Sequence, residues 1–308
     1  MLFPTFSFIF GFLPLTFILF RLLATRSNKK AVSLLLLSSL AFYILPNWLH
    51  SHIILSSICV NFILSKYIQS SSRHGKKYLA LGVIYNLSVI TYYKYSFFFG
   101  EILNVITGLE MGFTKYALPV GISFYTFQQI AYLVDCYKEK NVHYNFWQYG
   151  LFITFFPQLI AGPIVHHKEL MPQITQIGKS VIPIETLYAG FAIFTFGLAK
   201  KLVLADNLEK FATEVFSLAD NGVVISSVSA WLGSLSYTLQ LYFDFSAYSD
   251  MAIGLGLLFG IKLPINFNSP YKSTSIIEFW RRWHITLSTF LRDYLYIPLG
   301  GSRVKSKG

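Results

Sequence analysis

Apolar residues run in long blocks with short basic clusters between them. Residues 3–20, 31–49, 51–65, 78–100 and 117–134 each approach the roughly 20 apolar residues that a membrane-spanning helix needs. Between them lie Arg21, Arg26, Lys29 and Lys30; His50 and His52; Lys66, Arg73, Lys76 and Lys77; a connector over 101–116; and Lys138 and Lys140. Setting the first cluster on the cytoplasmic side puts every larger Lys/Arg cluster there on successive crossings, with the N-terminus, His50 and His52 outside. The connector, with Gly108, Gly112 and a single Lys115, reads as an interfacial helix or loop on the outer face.

Beyond residue 145 the pattern changes. Residues 146–165 are apolar but interrupted by Pro157, Gln158, Gly162 and Pro163, with basic residues on both flanks. A re-entrant hairpin from the cytoplasmic side fits this run, and so does a tilted, Pro-kinked span. Residues 187–199 end in Lys200 and Lys201, and an amphipathic stretch over 202–216 follows with Asp206, Glu209, Lys210 and Glu214. Residues 223–245 and 251–263 complete about eight or nine embedded segments, the last with Gly256 and Gly260 spaced for close helix approach.

Composition agrees with this pattern. Charged residues make up 13% of the 308, against about 25% in a soluble domain, so 25 Lys+Arg and 14 Asp+Glu cannot cover a globular surface. The expected fold class is all-α, a polytopic membrane protein in a single domain over 1–308. A net charge of +11 would suit nucleic acid, but the basic residues lie between apolar runs rather than along one soluble face, and no nucleic-acid partner is expected. Residues 1–20 lack a basic n-region and a small-residue cleavage site, so they are expected to remain as the first span. Cys59 and Cys136 have no CxxC spacing and read as buried thiols.

The densest polar constellation lies over 278–298. Read as one helix, it puts Arg281, His284, Ser288 and Arg292 on one face, with Glu278 spaced to pair with Arg281 or Arg282. One reading is a juxtamembrane amphipathic helix whose arginines meet phospholipid headgroups. The other is a site in which flanking arginines lower the pKa of His284, keeping it neutral near pH 7 and able to act as a base. Upstream, Asp244 and Asp250 sit six residues apart in an apolar neighbourhood, where carboxylates face a cavity, relay protons, or pair with cations such as Arg281, Arg282 and Arg292. Other templates fail. Gly121-Ile-Ser123 lacks the second glycine of a nucleophile elbow, and His50/His52 and His166/His167 read as loop histidines, so no metal ligand set is expected.

Five runs together resemble the alginate O-acetyltransferase branch of the membrane-bound O-acyltransferase (MBOAT) family. They are Leu118-Pro-Val-Gly-Ile-Ser-Phe-Tyr-Thr-Phe-Gln128, Phe155-Phe-Pro-Gln-Leu-Ile-Ala-Gly-Pro-Ile164, Asp244-Phe-Ser-Ala-Tyr-Ser-Asp-Met-Ala-Ile-Gly254, Asn266-Phe-Asn-Ser-Pro-Tyr271 and residues 278–301. They are spread along a core over 117–308, in the family's order, while the spans over 1–116 match only in character. The resemblance implies a ring of transmembrane and re-entrant helices around a thin central tunnel region. It implies transfer of an acyl group, usually acetyl, to hydroxyls of an extracytoplasmic polysaccharide such as alginate or another cell-wall polymer. The donor would be acetyl-CoA or an acyl-carrier thioester acting as substrate, with no bound cofactor.

The implied partners are membrane lipid, the donor or carrier on the cytoplasmic side, and a polysaccharide or a periplasmic acetyltransferase on the outer side. The implied location is the cell (inner) membrane, multi-pass. His284 matches the histidine of the family's Trp-x-Arg-Trp-His stretch and is expected to be catalytic. Arg281, Arg282, Ser288, Asp244, Asp250 and Asn268 are expected to bind substrate or line the tunnel. The family's other histidine, the one usually treated as catalytic, lies in a Trp-His-Gly-type segment downstream of Pro-Leu-Gly-Gly, so the chain reads as a member without its C-terminal helices, in which His284 is expected to line the acceptor route or assist that histidine.

A transporter or flippase with a buried Asp/Arg/His pathway, or an inactive truncated member, are the alternative readings. No paired repeat supports a transporter, and a covalent product separates the two classes. The charge pattern carries its own test. In a background free of Cys59 and Cys136, single cysteines at positions 28 and 72 are expected to react with an impermeant maleimide only after the membrane is opened, and one at 51 from outside. Labelling of 28 and 72 in intact cells would reverse this topology.

Overall fold

The computed structural model describes residues 3–46, 48–70, 73–108, 112, 116–139, 142 and 144–303; Lys115, Lys140 and Ser72 lie outside these described residues. Among the described residues the secondary structure is helical, with no strand. In chain order the helices are α1 (Leu13–Ala24), α2 (Asn28–Ile44), α3 (Ser51–Ser70), α4 (Gly75–Ile90), α5 (Ser96–Thr107), α6 (Ile122–Lys138) and α7 (Phe146–Thr154). They continue with α8 (Phe156–Leu159), α9 (His167–Gln176), α10 (Ile184–Ala199), α11 (Asp206–Asp220), α12 (Ser227–Leu258), α13 (Ile276–Arg282) and α14 (Ile285–Leu291). Among the described residues, three stretches are long and apolar enough to cross a membrane by length and composition: Ser7–Ala24, Trp48–Ser70 and Ile184–Asp220. Two compact units divide the chain. One comprises Met1–Asn28, Ala161–Pro163 and Gln176–Thr289, and the other Lys29–Ile160, Ile164–Thr175 and Phe290–Gly308.

In the first unit α10 runs through a π turn, Lys200–Ala205, into α11, so the lysines do not end the helix. The two segments expected over 223–245 and 251–263 are one helix, α12, of 32 residues. Asp244 and Asp250 leave it unbroken because their carboxylates find cations on the π turn instead of competing for backbone amides. The close approach of α10 to α12 does not use Gly256 and Gly260. A Cβ on Gly254 would lie 2.6 Å from the Gly190 carbonyl oxygen and the Phe194 nitrogen, and one on Gly197 would lie 2.9 Å from the Ala247 oxygen. Gly260 instead ends α12: with φ +73° it donates to the Leu257 oxygen while Ile261 donates to that of Gly256, a Schellman closure.

In the second unit α3, α4 and α6 pack together through buried amides. Asn61 and Asn86 exchange side-chain hydrogen bonds of 3.2 and 2.6 Å, and the Gln129 amide donates to Ser57 Oγ at 2.9 Å. Such bonds hold helices where lipid offers no hydrophobic drive. Cys136 is buried, but Cys59 is exposed on α3, contrary to the expected pair of buried thiols.

The run over 146–165 begins at an Asn145/Gln148 capping box and breaks at Phe155. Pro157 has no N–H for the Ile153 carbonyl, and its ring would clash there in a continuous helix. The break separates Phe156 N–H from Phe152 C=O, and each finds another partner. Phe156 donates to Ser39 Oγ at 3.1 Å, and the Gln128 and Gln158 amides donate to the Phe152 oxygen at 3.0 and 2.8 Å. Pro157, Gly162 and Pro163 are buried, as broken backbone in a membrane protein requires.

The glycine contact sets a measurable cost. Gly254→Leu should destabilise the detergent-solubilised protein by about 1–3 kcal/mol or more, since an overpacked crossing must separate. Gly11→Ala, where an added Cβ meets nothing within 4 Å, should not. Equal melting temperatures for the two variants would remove this crossing from the account.

Candidate functional site

The constellation over 278–298 is two short helices, not one. α13 ends at Arg282, and His284 takes the left-handed conformation at φ +42°, which costs a non-glycine residue about 1–3 kcal/mol. A segment from the loop after α12 lies alongside and holds it. Asn268 N–H donates to the Arg282 carbonyl at 2.9 Å, and Ile285 N–H donates to that of Asn266 at 3.0 Å. Inside this pairing the Asn266 side chain, fully buried, accepts at Oδ1 from Thr286 N–H (3.3 Å) and the Thr286 hydroxyl (3.0 Å). The same oxygen lies 3.0 Å from His284 Nδ1, and Asn266 Nδ2 donates to Ser249 Oγ of α12 at 3.3 Å.

The break disperses the expected polar face. His284 is 8% exposed, its ring set edge-on against Phe245 at 4.8 Å and near Phe267. Arg281 is exposed, and Ser288 is half-buried with its N–H on the His284 carbonyl. Arg292 is exposed and pairs with its neighbour Asp293 at 2.7 Å. Glu278 closes on Arg282 at 2.7 Å; the Thr274 N–H and hydroxyl, with that guanidinium, hold its carboxyl below the usual range. His284 lies outside the three candidate spans, and its pKa is lowered to about 4, as expected in direction. The cause is burial, not the arginines.

Asp244 and Asp250 meet lysines rather than arginines. Lys201 bridges Asp244 and Asp206, each at 2.7 Å, and Lys200 pairs with Asp250 and reaches Ser246 Oγ at 3.4 Å. The extra residue of the π turn carries this register, a device common at functional sites. Asn268 is exposed and contributes its backbone, whereas the buried amide is that of Asn266, two residues earlier. Sequence reasoning missed Asn266, Lys200 and Lys201. Asn266 stands inside a run that was already conspicuous, but its partners lie 18 and 20 residues away.

The second unit holds another polar cluster. His167 is not a loop histidine: it is buried at the start of α9, with Nδ1 3.1 Å from Asp135 Oδ2. Tyr294 donates to the same oxygen at 2.7 Å, and His166 Nδ1 lies 3.1 Å from the Tyr294 hydroxyl. The phenol's single hydrogen is given to Asp135, so His166 is the donor in that contact. Among the described residues no group of three His, Cys, Asp or Glu is placed to hold a metal ion.

Sequence comparison supplies the relatives. The chain is 45% identical over 334 aligned positions to the peptidoglycan O-acetyltransferase of Helicobacter pylori, covering 99% of this chain and 63% of that protein. It is 42% identical over 313 to the probable alginate O-acetylase AlgI of Pseudomonas aeruginosa, covering 98% and 58%. The teichoic acid D-alanyltransferase of Bacillus subtilis is 27% identical over 182, covering 58% of this chain and 45% of the relative. The chain thus spans less than two thirds of the length of these curated relatives. With residues 28–308 matching the profile described as MBOAT, this all-α membrane protein belongs to the membrane-bound O-acyltransferase family.

Proposed function

We propose that the full-length protein transfers an acetyl group from a cytoplasmic thioester donor, acetyl-CoA or an acyl carrier, to a hydroxyl of an extracytoplasmic polysaccharide. The reading places it in the inner membrane with several crossings. The observation that carries it is a buried imidazole, His284, held at a strained break in a chain whose similar proteins are named for O-acetylation of peptidoglycan and alginate. In this reaction the acceptor hydroxyl oxygen attacks the thioester carbonyl carbon and His284 takes the hydroxyl proton. The C–S bond then breaks, and the departing thiolate receives that proton. Exposed Arg281 is suited to an anionic group of donor or acceptor. Asp244 and Asp250, neutralised by Lys201 and Lys200, brace the helices rather than react. The outer partner in this reading is the polymer itself.

Two measurements test the reading. In membrane vesicles containing the full-length protein, His284→Ala should lower transfer of radiolabelled acetyl to polymer by about 100- to 10,000-fold with insertion and melting temperature unchanged. Transfer at the wild-type rate would remove His284 from the chemistry, and transport of an unmodified solute would replace the reaction class. Because burial holds the imidazole neutral, its base form persists as pH falls through the usual histidine range near 6.5 and is lost only toward about 4. The acid limb of kcat/KM should therefore lie well below pH 6.5; a midpoint at 6.5 would assign the base to another group.

A further inference from the structure

We infer that Asn266 is a positioning residue that fixes His284 as the Nδ1–H tautomer and so makes Nε2 the basic nitrogen. A neutral imidazole carries one hydrogen, and which nitrogen holds it is set by what the ring faces. The amide of Asn266 could face His284 with either its oxygen or its nitrogen, and the surroundings decide. Thr286 N–H can only donate, and it points at the same side-chain atom, 3.3 Å away, that lies 3.0 Å from His284 Nδ1. That atom is therefore the amide oxygen. The Asn266 nitrogen is turned the other way, toward Ser249 Oγ at 3.3 Å. An acceptor against Nδ1 requires the hydrogen on Nδ1, and the lone pair then resides on Nε2.

Three features make this a built arrangement. Asn266 is 0% exposed, so no water competes for its oxygen, and a buried amide left unmatched is costly. Its backbone carbonyl accepts from Ile285 N–H, which fixes Asn266 to the very break that puts His284 at φ +42°. Phe245 and Phe267 then pack on the ring and confine its plane. Orientation and protonation of the imidazole are thus set by one side chain that need not touch substrate.

The tautomer stands independently of the acyl-transfer reading; only its catalytic consequence rests on that reading. The test is nitrogen NMR of the full-length protein labelled with 15N-histidine in detergent micelles near neutral pH, with the His284 signals identified by their loss in His284→Gln. The protonated and lone-pair nitrogens differ widely in shift and coupling, so wild type should show Nδ1 as the protonated nitrogen, and Nε2–H in wild type would overturn the inference outright. Asn266→Asp, which keeps an acceptor in place, should retain the Nδ1–H form. Asn266→Leu, similar in size but without an acceptor, should mix the tautomers and lower transfer about 10- to 100-fold, as loss of an orienting partner does at ligating histidines. A folded Asn266→Leu protein with an unchanged tautomer would overturn the inference even if activity fell. The expected tautomer in a protein that transfers no acetyl would overturn the functional reading alone.

Discussion

Backbone amides and carbonyls in a membrane protein have little water to fall back on, so a helix can be interrupted only where other groups take over its hydrogen bonds. Both major breaks in this chain obey that constraint in the same way. At Phe155 the separated partners, Phe156 N–H and Phe152 C=O, are taken up by Ser39 and by two glutamines. At His284 the groups are taken up by Asn266 and Asn268, partly through backbone and partly through the Asn266 side chain. Polar residues that look misplaced in an apolar sequence are the parts that make broken helices possible.

The second break is also where the chemistry concentrates. A continuous helix would have spread His284 and three other polar residues along one face, each free to turn toward headgroups or solvent. Interruption turns the imidazole inward onto Phe245, gives it a fixed hydrogen-bond partner and removes it from the arginines. Burial then keeps it neutral. The strain at φ +42° is offset by the hydrogen bonds around it, each worth about 0.5–1.5 kcal/mol net, so the orientation is held by several contacts at once.

Charge is handled on the same principle. Lys200 and Lys201 follow an apolar helix directly and would be costly in lipid, as would Asp244 and Asp250 within α12. Paired across the α10–α12 contact, each cation meets a carboxylate, and the glycines at 190, 197 and 254 let the two helices come close enough for this to happen. Removing Lys200 would take the ion-pair partner from Asp250, and removing Lys201 would take it from both Asp206 and Asp244, which makes the pairs interdependent with the glycine packing.

Hydrophobic blocks near 20 residues, scarce charge and the basic clusters between blocks were sufficient to read an all-α membrane protein, because partitioning into lipid depends on local composition and length. Pro157 likewise announced a break, since its missing N–H is a property of the residue itself. The break at His284 had no such local marker: Trp283 and Ile285 are ordinary helix residues, and periodicity favoured a continuous stripe. Its cause is Asn266, 18 residues upstream, whose amide can replace helix hydrogen bonds only once the loop after α12 has folded back beside it. The partners of Asp244 and Asp250 were hidden for the same reason. Opposite charges attract whichever cation the packing brings within reach, and the π turn between α10 and α11 brought lysines where spacing along the chain had suggested arginines.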